Sequence, residues 1–153
     1  MNIIPFKESH LAILEKNIRN KKMYMLTNDT GEISKDWSWL CKNKGHSHTV
    51  MQDGEIVYVT GCIIAWKGVA DVYLIGSDKI EEHKIFVARS VMTALYMVEQ
   101  AFKLHRGQAT VKEDYTSARK WMEWMGFKNE GILKNFSPER ENYVMYARTR
   151  GYQ

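Results

Sequence analysis

The sequence predicts an α/β (α+β) fold in a single domain over residues 1–153, with one mixed β-sheet and helices on its faces. Two observations lead to this prediction. Residues 48–75 form three short apolar runs separated by tight turns, which is typical of an antiparallel meander. Residues 81–104 then change to the apolar spacing of a long helix, and further strand and helix patterns follow.

The first predicted elements are one strand and two helices. Ile3–Phe6 is a short apolar run that favours a strand, and Ser9 is expected to cap the helix after it. That helix carries apolar residues at helical spacing, namely Leu11, Leu14 and Ile18. A second short helix is expected from Ser34, and its apolar residues are Ile33, Trp37, Leu40 and Cys41.

The meander is defined by its turns. Asp53-Gly54 joins the runs His48–Gln52 and Glu55–Trp66, and this dipeptide favours a two-residue hairpin because glycine accepts positive φ at little cost. Lys67-Gly68 forms the next turn. The third run, Val69–Ile75, is the most continuously apolar of the three, so we predict that it lies at the centre of the sheet.

The second half of the chain predicts two helices and three strands. The apolar residues of the long helix are Val87, Val91, Ala94, Leu95, Val98 and Phe102. Gly107 is expected to end that helix, and Gln108–Lys112 to form a strand. Asp114 or Thr116 is expected to cap the next helix, which carries Ala118, Trp121, Met122 and Met125 on one face and ends at Gly126. The two closing strands are Phe127–Phe136 and Tyr143–Arg148.

Composition excludes several classes of protein. Hydrophobic residues make up 44% and charged residues 26% of the chain, which is typical of a globular domain rather than a disordered one. No apolar run approaches the roughly 20 residues that a membrane span needs. The net charge of +4 is too small to indicate nucleic acid. Two cysteines are too few for a disulfide framework, so we expect a cytoplasmic protein.

The segment Ala118-Arg119-Lys120-Trp121-Met122-Glu123-Trp124-Met125-Gly126-Phe127-Lys128-Asn129-Glu130-Gly131 carries a family resemblance. It resembles the C-terminal motif of the GNAT acyl-CoA N-acyltransferases, in which a short helix holding an alanine precedes Gly-Phe and a strand. The order of elements agrees with that family over nearly the whole chain. The resemblance implies a central mixed, mostly antiparallel sheet of about seven strands flanked by about four helices.

A second segment indicates a subgroup within this family. Val72-Tyr73-Leu74-Ile75-Gly76-Ser77-Asp78-Lys79-Ile80, followed directly by a long basic helix, is similar to small GNAT-like proteins of tailed phages, which include an internal virion protein of short-tailed coliphages. This resemblance implies a location in the host cytoplasm or in the virion. It also implies a phage or host protein as a partner, and a homodimer is compatible with it.

The GNAT resemblance implies acetyl-CoA as cosubstrate and an amine as acceptor. The backbone of Leu74, Ile75 and Gly76 would hold the pantetheine arm. The pyrophosphate would lie at Lys79–Ile85, where the cofactor-binding candidates are His83, Lys84 and Ile85. The family has a Gln/Arg-x-x-Gly-x-Gly/Ala pattern there, whereas this chain has no glycine between Gly76 and Gly107.

The catalytic candidates follow from the two protons that acyl transfer must move. Asp71 and Glu113 are the candidate general bases, and Asp114 ends the same strand as Glu113. The family often has a tyrosine as acid at the position of Met122, which has no proton to donate, so Met122 is retained only as a cofactor contact. The candidate acids are therefore Tyr115, Tyr146 and Tyr143.

Each candidate also has a structural alternative. The tyrosines are equally suited to packing at strand and helix ends, Asp71 to an ion pair on a strand face, and Asp114 to a helix cap. Cys41, His46 and His48 are ligand types that suit zinc, but a fourth ligand is missing, so no metal is predicted. Two main hypotheses of function remain, beside nucleic-acid binding, which has only the +4 charge and scattered Arg and Lys in its favour. The chain is an N-acyltransferase, or it is an inactive phage protein of this fold that acts in virion assembly or host interaction.

Overall fold

The computed structural model describes residues 2–17 and 45–150. The strands are β1 (Asn2–Pro5), β2 (Gly45–Gln52), β3 (Glu55–Trp66), β4 (Val69–Gly76), β5 (Arg106–Lys112), β6 (Lys128–Leu133) and β7 (Tyr143–Thr149). The α-helices are α1 (Glu8–Leu14), α2 (Lys84–Ala101) and α3 (Thr116–Trp124), and 3₁₀ turns cover Glu15–Asn17 and Asp78–His83. The helix expected from Ser34 lies outside the described residues, as do Ile18 and Cys41. No helix in the described ranges is long and apolar enough to cross a membrane.

The seven strands form one sheet in the order β1-β2-β3-β4-β5-β7-β6. Every neighbouring pair is antiparallel except β4 and β5, which are parallel and are connected through α2. β4 is the middle strand, as its continuous apolar run predicts. Asp53 and Gly54 both have positive φ, at 51° and 77°, so the predicted two-residue hairpin between β2 and β3 is confirmed.

The two faces of the sheet carry different helices. On one face Ile75 packs with Leu11 and Leu14 of α1, and we call this the α1 face. On the opposite face Val72 and Leu74 pack under α2 and α3 in the largest hydrophobic cluster, and we call this the α2–α3 face. Because side chains alternate along a strand, the residues of β4 divide between these two faces one by one.

The ends of the helices differ in detail from the prediction. α1 begins at Glu8 after Lys7, so Ser9 lies inside the helix and does not cap it. α2 ends at Ala101, and Lys103 takes the left-handed conformation, with φ of 49°, that we expected of a glycine. Gly107 instead pairs with Ala70 inside the sheet.

The N-cap of α3 is Tyr115, which makes no side-chain cap, so neither Asp114 nor Thr116 has the expected capping role. The end of α3 agrees with the prediction. Gly126 has φ of 87°, and the amide of Phe127 donates to the carbonyl of Met122. Of the two tryptophans on this helix, Trp124 is 60% exposed, as the narrow apolar face of a short helix requires.

A buried ion cluster joins α2 to β7. Glu99 is only 2% exposed and accepts a charged contact from Arg148 Nε at 2.9 Å and from Arg150 Nη2 at 2.7 Å. The second contact lacks hydrogen-bond alignment, because Glu99 Oε2 has no hydrogen bond within the described chain. Arg148 also donates to the carbonyl of Met125 at 2.6 Å. Removing one member would leave a buried charge without compensation, which makes this cluster a strict constraint on how α2 lies.

His10 joins α1 to β2, the second strand of the sheet. Its Nδ1 accepts from the amide of Lys7 at 3.1 Å and lies 2.8 Å from Thr49 Oγ1. Protonation would place a hydrogen on Nδ1 of His10. That hydrogen would face the amide hydrogen of Lys7, which already donates to the same nitrogen. Burial lowers the pKa of His10 below its ordinary 6.5, and the charge of Lys7 acts in the same direction. Folding therefore favours the neutral imidazole.

We predict that the free energy of unfolding falls as the pH is lowered through about 6.5, because the unfolded chain then takes up a proton that folded His10 resists. Urea unfolding at about pH 7.5 and at about pH 5.0 measures the effect. His10→Asn keeps an acceptor oxygen near the Nδ1 position and has no titrating proton, so its pH dependence should be smaller. An equal loss in both proteins would contradict this assignment.

The side chain of Tyr73 passes over Gly61 of β3 on the α1 face. The Tyr73 hydroxyl forms a close hydrogen bond with Ser47 Oγ of β2. A Cβ at position 61 would lie 2.3 Å from the carbonyl oxygen of His46 and 2.7 Å from Cα of Ser47. Both neighbours are backbone atoms, so they cannot rotate away.

We predict that Gly61→Ala lowers the free energy of unfolding by about 2 kcal/mol or more, because β2 and β3 would have to separate. Gly107→Ala is the matched control in a neighbouring part of the sheet. Its nearest contact would be Val72 Cγ1 at an ordinary 3.7 Å. Denaturant unfolding of both variants measures the difference, and equal effects would show that the approach at Gly61 is not the limiting contact.

Candidate active site

The parallel strands β4 and β5 pair over only three residues. The partners are Val69 with Arg106, Ala70 with Gly107, and Asp71 with Gln108. Both strands continue beyond this point, β4 to Gly76 and β5 to Lys112, without pairing to each other in the described sheet. A V-shaped opening therefore separates their carboxyl ends. Backbone amides and carbonyls of β4 that point into the opening have no ladder partner there and are available to a ligand.

The three predicted pantetheine contacts lie in this unpaired half of β4. The Leu74 side chain packs into the core on the α2–α3 face, and Ile75 is fully buried on the α1 face. Gly76 lies beneath Ile80, whose Cδ1 would be 2.1 Å from a Cβ at that position. The side chains of Leu74 and Ile75 point into the core. These residues therefore present mainly their backbone amides and carbonyls to the opening.

The connection from β4 to α2 closes one end of the opening. Ser77 Oγ donates to the carbonyls of Ile56 and Val57 at 2.8 and 3.0 Å and accepts from the amide of Lys79. The 3₁₀ turn then leads directly into α2, whose N-cap, His83, makes no side-chain cap. A shallow depression of about 380 Å³ lies here, and its lining residues are Glu81, Glu82, His83, Lys84, Ile85 and Phe86.

The acidic side chains around this depression are paired with lysines. Lys79 Nζ lies 2.9 Å from Glu55 and 3.5 Å from Glu82, and Lys84 Nζ lies 2.6 Å from Glu81. The hydrogen bond to Glu55 is the main cause of a raised pKa for Lys79, so this lysine stays charged. The N-terminus of α2 adds partial positive charge from its amide groups. The depression can therefore accept an anion although two glutamates line it.

Asp71 lies on the α1 face at the point where the opening begins. Its Oδ1 accepts from Gln108 Nε2 at 2.9 Å, and Gln108 Oε1 accepts from Arg106 Nε at 2.8 Å. Arg106 in turn forms a two-point contact with Glu130 at 2.6 and 3.2 Å, and this pair lowers the pKa of Glu130. An exposed chain of polar side chains thus crosses the sheet from β4 to β6 and accounts for the carboxylate in an apolar strand.

Glu113 and Tyr115 lie together just after the carboxyl end of β5. The amide of Glu113 donates to the carbonyl of Asn142 at 3.0 Å, and the amide of Tyr115 donates to the carbonyl of Lys112 at 3.0 Å. Both side chains are half-buried. One carboxylate and one phenol thus follow the end of β5, beside the segment that leads into β7.

Tyr146 and Met122 lie deeper, on the α2–α3 face. Tyr146 is fully buried, and its hydroxyl accepts from Arg119 Nε at 3.1 Å and donates to Glu123 Oε1 at 3.2 Å. Arg119 also donates to the carbonyl of Glu113 at 3.0 Å. Met122 is 8% exposed and belongs to the main core cluster. Arg119 thus links the Tyr146 hydroxyl to the backbone of Glu113.

Three further residues around β4 and β5 were not identified from the sequence. Gln108 holds Asp71, Arg119 joins the Glu113 carbonyl to Tyr146, and Tyr73 of β4 crosses β3 on the α1 face to reach Ser47 of β2. Gln108 carried a signal, since it belongs to a polar alternation in β5 that begins at Arg106. Arg119 also carried one, because it lies four residues before Glu123 in α3. Tyr73 carried none, because a tyrosine in an apolar strand is ordinary packing.

Within residues 2–17 and 45–150 no group of three or more His, Cys, Asp or Glu side chains could hold a metal ion. Of the three zinc-type residues in the sequence, Cys41 lies outside those ranges. His46 is on β2, where its ring lies 4.2 Å from that of Phe102.

No protein-family model matches the chain, and no curated protein matches it. Solved structures are similar to it over almost the whole length. The ribosomal-protein-S18-alanine N-acetyltransferase from Escherichia coli superposes with a TM-score of 0.75 at 12% sequence identity, covering 99% of this chain and 95% of that one. A variant of the spermidine N-acetyltransferase from Vibrio cholerae gives a TM-score of 0.74 at 15% identity, covering 97% and 95%.

A third similar structure is the ribosomal L7/L12 alpha-N-protein acetyltransferase in complex with coenzyme A. Its TM-score is 0.71 at 14% identity, and the match covers 96% of this chain and 92% of that one. Identities this low establish a shared architecture and no more. The predicted mixed sheet of seven strands is confirmed, with three α-helices in the described part of the chain. The chain has the fold of the GNAT acyl-CoA N-acyltransferases.

Proposed function

We propose that this protein binds an acyl-CoA, most simply acetyl-CoA, in the opening between β4 and β5 and transfers the acyl group to an amine. One observation carries the proposal: the parallel pairing ends at Asp71 and Gln108, which leaves the backbone of Leu74–Gly76 facing a cleft. An extended pantetheine arm carries amide groups that can pair with such a free strand edge.

The binding roles divide between backbone and charge. Leu74, Ile75 and Gly76 offer backbone groups to the pantetheine arm. The first turn of α2, from His83 to Ile85, offers amides and helix dipole to the pyrophosphate, and the Lys84 ammonium adds a charge beside it. Met122 has no proton to give and contributes to the apolar packing beneath the cleft.

The chemistry needs a base and an acid. The amine nitrogen attacks the thioester carbon, the C–N bond forms as the C–S bond breaks, the amine loses a proton and the CoA thiolate gains one. Asp71 and Glu113 are the proposed bases, and Gln108 orients the Asp71 carboxylate. Tyr115 is the proposed acid just after the end of β5, while Tyr146 would act through Arg119.

Calorimetric titration of the full chain with acetyl-CoA tests the proposal, and we expect saturable binding with a raised unfolding midpoint. Lys84→Glu should weaken binding by roughly tenfold, because it replaces a cation beside the pyrophosphate with a third glutamate. Lys120→Glu, an equal charge change on exposed α3, is the matched control and should bind as the parent does. Absence of binding at millimolar acetyl-CoA by folded protein would refute the proposal.

A second candidate function is an inactive protein of this fold that binds a phage or host protein, in the host cytoplasm or the virion. The observations in its favour are Met122 in place of a phenol and a closed 3₁₀ turn where the family has glycines. An intact fold together with a flat acetyl-CoA titration would favour it. Acetylation of an amine panel at a rate that depends on Glu113 or Asp71 would exclude it.

A further inference from the structure

Three segments of the chain meet where β4 and β5 begin, at the end of the sheet opposite the start of α2. The amides of His105 and Arg106 donate to the carbonyl of Gly68 at 2.9 and 3.1 Å, and the amide of Arg150 donates to the carbonyl of His105 at 2.9 Å. The turn after β3, the connection from α2 to β5 and the end of β7 are therefore joined to one another. The three segments are residues 66–69, 102–106 and 148–150.

These three segments concentrate positive charge. They contain no Asp or Glu, and their Lys and Arg residues are Lys67, Lys103, Arg106, Arg148 and Arg150. Lys128 lies beside them, because it pairs with Ala147 in the β6–β7 ladder. We call the three segments together with Lys128 the basic end.

Carboxylates around the basic end neutralise only part of this charge. Four of them accept a hydrogen bond or a charged contact from a neighbouring side chain: Glu99, Glu130, Asp71 and Glu123. Glu99 and Glu130 contact the three arginines. By contrast, Lys67, Lys103 and Lys128 make no ion pair with any residue that the structure describes. These three ammonium groups can contact an anion without giving up a partner in that part of the chain.

The opposite end of the sheet has the reverse balance of charge. Its segments carry nine Asp and Glu residues against five Lys and Arg residues. These segments are residues 53–55, 78–84, 112–115 and 134–141. The Lys and Arg residues that look scattered along the sequence are thus gathered at one end by the fold. The small net charge of +4 does not reveal this separation.

Exposed aromatic rings supply an independent observation. The rings on or beside the basic end are Trp66, Tyr96, Phe102 and His105. Trp66 is 67% exposed and directly precedes Lys67. The guanidinium of Arg150 lies 5.2 Å from the centre of the Tyr96 ring. One exposed ring is ordinary on a protein surface, but several rings among unpaired cations are typical of surfaces that bind single-stranded nucleic acid.

The combination of rings and lysines distinguishes between polyanions. Single-stranded nucleic acid has phosphates for the lysines and unstacked bases whose planar faces can lie on Trp66. A duplex hides its base faces, and an acidic peptide has no planar bases. A lipid surface requires a continuous apolar face, whereas lysines and arginines separate the rings of the basic end.

We infer that the basic end binds single-stranded nucleic acid without sequence preference. Its phosphates contact Lys67, Lys103 and Lys128, and one base stacks on Trp66. This binding does not depend on the proposed acyl transfer, because β4 runs from the basic end at Val69 to the cofactor depression beyond Gly76. The two sites therefore lie at opposite ends of the same strand.

Fluorescence anisotropy of a labelled oligo-dT with the full chain tests the inference. We expect saturable binding whose affinity falls with salt, with a slope of about −2 in log Kd-reciprocal against log salt if three lysines contact phosphates. Lys67→Glu combined with Lys103→Glu should weaken binding by roughly tenfold or more. Lys120→Glu combined with Lys134→Glu is the matched control, because it changes the net charge equally at exposed positions outside the basic end.

A second set of variants tests the stacking contact. Trp66→Ala should weaken oligo-dT binding by roughly fivefold, because one base loses its aromatic platform. Trp66→Phe keeps a ring at this position and should retain most of the affinity. Phe136→Ala removes a ring that is 40% exposed in the connection between β6 and β7, and it should bind as the parent does.

Several results would overturn the inference. One is an equal loss of affinity in the two double-lysine variants, which would mean that only total charge matters. Others are tighter binding of the matching duplex, of polyglutamate or of phosphatidylserine vesicles than of oligo-dT. Displacement of oligo-dT by acetyl-CoA would also overturn it, because the oligonucleotide would then occupy the cleft. Acetyl-CoA binding is titrated separately, so failure of acyl transfer and failure of the basic end are distinguished.

Discussion

The short parallel contact between β4 and β5 is the constraint on which the rest of the structure depends. Three residue pairs hold the two strands together, and α2 must span from the end of one to the start of the other. α2 is fixed along its length by Val87, Val91 and Leu95 in the core, and at its end by Glu99 against two arginines. A helix held along its length and at its C-terminal end keeps the strands apart beyond the contact, so the opening is a property of the packing rather than of a mobile loop.

That arrangement distributes the chemistry over separate layers. The backbone of β4 faces the opening, polar side chains from Asp71 to Glu130 cross the α1 face, and Tyr146 with Arg119 lies under α3. Glu113 and Tyr115 lie just beyond the carboxyl end of β5, after its last pair with β7.

Strand and helix identities could be predicted from the sequence because periodicity is a local signal, and the Asp53-Gly54 hairpin and the end of α3 at Gly126 agree with it. The helix caps could not be predicted from the sequence. Lys103 rather than Gly107 takes the left-handed conformation after α2, because Gly107 lies in β5 and pairs there with Ala70. The site was predicted only as a set of residues. Its connections through Gln108 and Arg119 depend on strand register, which no single segment encodes.

The position of β7 in the sheet bears on the order in which the chain can fold. β7 follows β6 along the chain, yet it lies between β5 and β6, and Arg148 within it and Arg150 just after it reach Glu99. During synthesis β1 to β5 and α2 leave the ribosome before β6 and β7. β6 then has no neighbour until β7 arrives and fills the gap. The two arginines that contact Glu99 in the described part of the chain are therefore among the last residues to be synthesised, although they fix the helix behind the cleft.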